Sequence, residues 1–196
     1  MAKIVILASG SGSNAESIIR YAQAHNTYQV ASVISDKSEA LVLQRAKNLG
    51  VEAETVVKTK DESKVQFEDR LVHVIEKYQP DWIVLAGFMK LLSKNFLMNF
   101  YDQKIKQFKV VNIHPSLLPL FPGKEAYEQS FNSGLAEYGC TIHFVDEGMD
   151  TGKMIYQERL KKIEGEDFET FKARGLAAEN RIYPIILEKL FVEFSS

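Results

Sequence analysis

Asn112 and His114 stand two residues apart in the stretch VVNIHPSLLPLFPG, Val110 to Gly123. In an extended segment that spacing sends both side chains off the same face. A carboxamide N–H and an imidazolium N–H pointing together form a donor pair for a developing oxyanion, a role in which losing one donor costs roughly 10²–10³ in rate. Pro115, Pro119 and Pro122 follow, so the loop has little freedom left to lose on ordering. A second concentration lies in GCTIHFVDEGMDTGKMIYQ, where a strand-like run ends in a turn carrying Asp146, Glu147 and Asp150. A carboxylate near His114 would favour its charged form and could accept a proton through water, which is general acid–base chemistry. The plainer reading of the same residues is a hydrogen-bonded strand-end histidine and an acidic hairpin turn, with Asp and Gly present for backbone reasons. Spacing alone does not bring Asp150 to His114. His143, on the strand before the turn, faces either the site or the core.

The third constellation is Gly10-Ser11-Gly12-Ser13-Asn14-Ala15, which follows a β-branched run and opens a helical pattern. Free N–H groups and the helix dipole make such a corner an anion site. Its spelling is G-x-G-x-x-A, and Asp36 closes the next strand where a nicotinamide-binding fold places the acid that grips ribose. A dinucleotide and a simple phosphate are both open as occupants, as is a turn that merely joins strand to helix. A P-loop is excluded, because no Lys-Ser or Lys-Thr closes the turn.

The elements that must position these groups read as alternating strands and helices. Strand-like runs fall at 3–8, 29–34, 52–57, 82–86, 109–113, 139–145 and 154–160, with helical patterns at 14–24, 38–49 and 61–78 between the early ones. KIVILA and DWIVLA are apolar on both faces, as parallel strands covered by helices must be. The expected class is α/β with a doubly wound, mostly parallel sheet. A short helix near 92–101 and a final helix over 167–192 complete the pattern, the latter kinked or split by Pro184. The four loops at 9–14, 87–92, 112–114 and 146–150 are each expected at the carboxyl end of a strand, where such folds gather ligands.

Bulk properties narrow the partners. With 24 basic and 26 acidic residues the chain has no overall attraction for nucleic acid or anionic membrane, so anion specificity must be local. Cys140 is the only cysteine, which rules out an internal disulfide and fits a reducing, cytoplasmic setting. No apolar run approaches the ~20 residues of a membrane helix. At 196 residues one domain is expected.

Taken together, GSGSN, LAGFMKLL, NIHPSLLPLFPG and GCTIHFVDEGMDTG resemble the formyltransferases that use 10-formyltetrahydrofolate, over nearly the whole chain. The resemblance implies a Rossmann-like formyltransferase fold, with residues 1–86 as a phosphate-binding half and 87–196 as a folate-binding and catalytic half. It implies Asn112, His114 and Asp150 as the catalytic trio. The phosphate and ribose of glycinamide ribonucleotide would fall to Gly12, Ser13, Asn14 and Glu179. The folate would fall to Lys64, Met89, Lys90, Leu91, Leu92 and Asn112. Where Lys64 and Lys90 stand the family often has Arg, so a point charge replaces a planar fork. The formyl donor is a cosubstrate, with no metal and no covalent enzyme intermediate. Asn112 and protonated His114 would hold the oxyanion while Asp150 helps relay a proton. Small-molecule partners and a monomer or homodimer are expected. Members acting on tRNA carry a further C-terminal domain, for which this length leaves no room. Other amine substrates, deformylation and a nicotinamide-binding module are the competing readings.

Overall fold

The computed structural model describes residues 1–194. In chain order its elements are β1 (Ala2–Ala8), α1 (Ser13–His25), β2 (Tyr28–Ser35), α2 (Leu41–Asn48), β3 (Glu52–Thr55), α3 (Lys64–Glu76), β4 (Trp82–Leu85) and α4 (Lys94–Met98). The second half holds β5 (Tyr101–Asp102), β6 (Gln107–Phe108), β7 (Val110–His114), α5 (Ala126–Asn132), β8 (Glu137–Phe144), β9 (Met154–Lys161) and α6 (Phe168–Glu193). Seven strands form one sheet in the order β3-β2-β1-β4-β7-β8-β9, and β5 pairs with β6 in a separate hairpin. The pairs from β3 to β7 are parallel, whereas β8 and β9 run antiparallel to their neighbours.

Alternation along β1 shows why the early strands are apolar throughout. Ile4, Ile6 and Ala8 pack with α1, α2 and α6 on one face, while Val5 and Leu7 meet Phe67, Leu71 and Ile75 of α3 and Phe96 and Leu97 of α4 on the other. The second face is roofed by helices only over the β2-β1-β4 side. Asn112 and His114, in step with Val110, and their β8 partners His143 and Thr141 project from the unroofed part of it.

Two expectations are corrected and one element is new. The helix placed at 92–101 is the single turn Lys94–Met98, started by the Ser93 hydroxyl accepting the Phe96 N–H and followed by the β5–β6 hairpin. α5 has no counterpart in the sequence reading; its seven residues are too few to show a helical period. Pro184 does not split α6, which runs unbroken for 26 residues. Ile182, Tyr183, Ile186 and Leu187 are buried against the sheet around the proline. The Tyr183 hydroxyl also reaches the carbonyls of Leu85 (3.0 Å) and Val111 (3.2 Å), pinning the helix across β4 and β7. These anchors offset the one hydrogen bond that proline removes.

Candidate active site

β7 ends by delivering Asn112 and His114 to the unroofed sheet face, and two loops close over them. The loop after β7 carries the cis Leu118–Pro119 bond and brings the Phe121 carbonyl to His114 Nε2 at 2.8 Å. The loop after β8 brings Asp150, whose Oδ2 lies 3.2 Å from His114 Nδ1 and accepts the Gly123 N–H at 2.8 Å. Both joining residues occupy the left-handed region, Gly123 at φ 80° and Asp150 at φ 57°. A non-glycine residue held there is strained and persists only where its surroundings fix it, as the Gly123 bond does here. Because β8 is antiparallel to β7, the 146–150 turn leaves from the opposite end of the sheet and folds back to His114. The expectation that all four loops sit at one set of carboxyl ends is therefore corrected: three do, and Asp150 arrives from the other side.

The hydrogen bonds assign protons. A carbonyl only accepts, so His114 Nε2 carries hydrogen and Nδ1 is the nitrogen that gains or loses a proton beside Asp150. His143 joins the cluster, with Nδ1 donating to the Phe144 carbonyl at 2.8 Å. Its Nε2 lies 3.3 Å from Asn112 Nδ2 and 3.6 Å from Asp150 Oδ1. Burial is the largest influence on His114 and pushes its pKa below the usual histidine value, although the Phe121 carbonyl and the Asp150 charge pull the other way. The anticipated preference for a charged His114 is thus outweighed by desolvation. For Asp150, burial favours the neutral acid, but the nearby His143 ring, the Gly123 N–H and the interaction with His114 prevail and hold the carboxyl below its ordinary range. The Nε2–H is spent on the Phe121 carbonyl and Nδ1 faces Asp150, so a neutral His114 has no N–H left for a substrate oxygen in this arrangement. Asn112, half-buried, still has its second amide hydrogen.

The anion corner forms as the glycine spacing suggests. Gly12, at φ 80°, precedes α1, and the helix start has no side-chain cap, leaving first-turn N–H groups free. A methyl group on Gly12 would sit 2.5 Å from Val42 Cβ, so α2 packs too closely for any side chain there. Ser13 is partly exposed, but the Asn14 side chain turns inward and donates through Nδ2 to Glu179 Oε2 at 2.7 Å. The Asn14 side chain is thus committed to Glu179, and its first-turn backbone N–H is what it offers to the corner. Glu179 is 4% exposed, and its second oxygen accepts from Tyr127.

The 86–92 loop is stitched to the corner by Ser9, whose N–H donates to the Gly87 carbonyl at 3.0 Å and whose hydroxyl accepts the Met89 N–H at 2.9 Å. Met89 and Leu91 are exposed, whereas Leu92 is in the core and offers only backbone. Lys90 Nζ lies 3.4 Å from Asp36 Oδ2 and above the Phe67 ring. Asp36 is therefore engaged by a lysine and does not stand free for a ribose, which removes the main support for a nicotinamide site. Lys64, half-exposed at the start of α3, pairs at 3.7 Å with the buried Glu68. Two surface cavities, of about 350 and 510 Å³, lie by Trp82 and Lys109 and beside α2, and include none of these residues. Among the described residues no cluster is placed to hold a metal ion, and no helix is long and apolar enough to cross a membrane.

The sequence profile of the formyl transferase family matches residues 2–187. The chain belongs to the formyl transferase family. It is 35% identical over 185 residues to the phosphoribosylglycinamide formyltransferase of Escherichia coli, covering 94% of this chain and 84% of that one. The Bacillus subtilis protein of the same name is also 35% identical, over 97% of this chain and 95% of its own. Among solved structures, the phosphoribosylglycinamide formyltransferase of Bacillus halodurans superposes with a TM-score of 0.88 at 40% identity, covering 96% of this chain and 95% of that one. The seven-stranded, mostly parallel sheet is the Rossmann-like fold of this formyltransferase family. Within it, the sequence reading left His143 undecided and passed over Tyr127. Pairing of 143 with 112 was the signal for the first, but strand register is not written in residue types.

Proposed function

We propose that this formyltransferase moves the formyl group of 10-formyltetrahydrofolate to the amine of glycinamide ribonucleotide, a step of purine biosynthesis. The observation that carries the reading is the convergence of Asn112, His114 and Asp150, with His114 Nδ1 3.2 Å from Asp150 Oδ2, on the same sheet whose first strand leads into an uncapped helix start. Residues 1–86 supply the phosphate corner at Gly12, Ser13 and Asn14. The rest of one domain supplies the folate surface and the reacting groups. Glu179 and Tyr127 reach back from the second half to the corner.

Phosphate docks on the free N–H groups of the first turn of α1, favoured by the helix dipole. Met89 and Leu91 present an apolar edge suited to a flat heterocycle, and the backbone of Lys90 and Leu92 supplies polar contacts beside it. Asn112 donates its second amide hydrogen to the formyl oxygen as charge develops there. His114, kept neutral by burial, takes the proton of the attacking amine on Nδ1, and Asp150 stabilises the imidazolium so formed. The pair then returns that proton, through water, to the leaving folate nitrogen. This moves His114 from the oxyanion to the proton path, because its one N–H is already bonded to the Phe121 carbonyl.

Steady-state turnover with 10-formyltetrahydrofolate and glycinamide ribonucleotide tests the proposal. Formyl transfer that requires both substrates supports it. Folate deformylation without the amine, or transfer only to a different amine, would replace it with one of the competing readings.

A further inference from the structure

α6 contains a glycine at Gly175, where helix propensity favours almost any other residue. Phe171, Gly175 and Glu179 are spaced four apart and form one stripe along the helix. Tyr127 of α5 lies on that stripe. Its ring meets Phe171 edge-on, with centroids 6.4 Å apart. A methyl group on Gly175 would collide with the ring and stand 2.9 Å from the hydroxyl oxygen. The bare helix backbone is thus the seat that lets the tyrosine hydroxyl reach Glu179.

Glu179 is nearly fully buried, and each carboxylate oxygen has one donor, Asn14 Nδ2 on Oε2 and the Tyr127 hydroxyl on Oε1. A buried carboxylate left short of a donor rotates, recruits water or takes up a proton. Asn14 is in the first turn of α1, so the carboxylate holds the residue whose backbone faces the phosphate. Because its NH2 group faces the carboxylate, Asn14 Oδ1 is fixed in the opposite direction, buried and without a protein partner.

We propose that Tyr127, seated on Gly175, is a positioning residue that sets Glu179 and Asn14 for the phosphoribosyl half of the amine substrate. The inference rests on the function proposed above. Tyr127 touches none of Asn112, His114 or Asp150, so its loss weakens binding of one substrate and leaves the chemical step and the folate side alone.

The test is steady-state kinetics of Tyr127→Phe and Gly175→Ala, with each substrate varied in turn and thermal unfolding as a control. Tyr127→Phe keeps the ring and removes only the hydroxyl. It is expected to raise KM for glycinamide ribonucleotide about tenfold, the effect of leaving one buried hydrogen-bonding group short of a partner, with kcat and the folate KM within about twofold. Gly175→Ala is expected to raise the same KM by displacing the ring, although propensity alone predicts a firmer helix. Unchanged KM for glycinamide ribonucleotide in Tyr127→Phe, or equal losses for both substrates, overturns the proposal. If Tyr127→Phe does not fold, an unchanged KM in Gly175→Ala overturns it. Wild-type protein inactive on this substrate pair instead refutes the function on which the inference stands.

Discussion

Asp150→Asn keeps the size and shape of the side chain and removes one charge. The amide oxygen remains available to the Gly123 N–H, so the contact between the two loops persists. What disappears is the negative charge 3.2 Å from His114 Nδ1, where the imidazolium must form. Two unit charges at that distance interact by about 5 kcal/mol at an effective dielectric of 20. Mutational losses of charge-assisted hydrogen bonds are smaller, about 1.5–3 kcal/mol. At about 1.4 kcal/mol per decade these bounds correspond to roughly tenfold and several-thousand-fold in rate. With the Asp150 side chain 14% exposed, some solvent screening remains, and a kcat loss of about 10²–10³ is expected with both KM values within a few-fold. The assay is initial-rate kinetics over both substrates, with circular dichroism to confirm the fold. Asp150→Asn turning over within about threefold of wild type would refute the proton path through this pair.

The acid limb of kcat/KM should have its midpoint below pH 6.5, because His114 must be neutral to accept a proton and burial lowers its pKa from that value. A midpoint above it in a pH–rate profile contradicts the assignment. By linkage the same group contributes stability at pH above the unfolded histidine value, and that contribution is lost as pH falls through the lower folded value, which acid-dependent unfolding would record. Asn112→Ala should lower kcat by about 10²–10³ by removing the one free donor, and single-turnover rates check this against substrate binding. Gly12→Ala combines a positive φ with a clash against Val42, so a loss of about 1–3 kcal/mol in chemical denaturation is expected together with a raised KM for the phosphorylated substrate.

The parallel half of the sheet was legible because its strands are buried on both faces, and Ile4 to Ala8 or Trp82 to Leu85 can hardly be anything else. Asn112 and His114 were legible as a pair because period-two spacing survives any tertiary arrangement of the strand. The reversal at β8 was not: strand direction leaves no mark in residue types, and so Asp150 reached His114 from an unforeseen end. The inward turn of Asn14 depends on Glu179, 165 residues away, and the engagement of the two His114 nitrogens depends on the Phe121 carbonyl and the Asp150 carboxylate, which only folding brings near. Local chemistry was readable in such cases, whereas which partner satisfies a buried polar group is a property of the assembled chain.

The sheet face over β7 and β8 is covered by loops where its neighbour is covered by helices. A helix laid there would have spent its own N–H and C=O groups on itself and presented only side chains. The loops instead lend main chain to what lies beneath: the Phe121 carbonyl to His114, the Gly123 amide to Asp150, and the Ser116 carbonyl and Leu118 amide to Thr141. Irregular backbone thus serves as a set of reagents that every residue except proline at a donor position would supply, and its geometry rather than its spelling is what the reacting groups depend on.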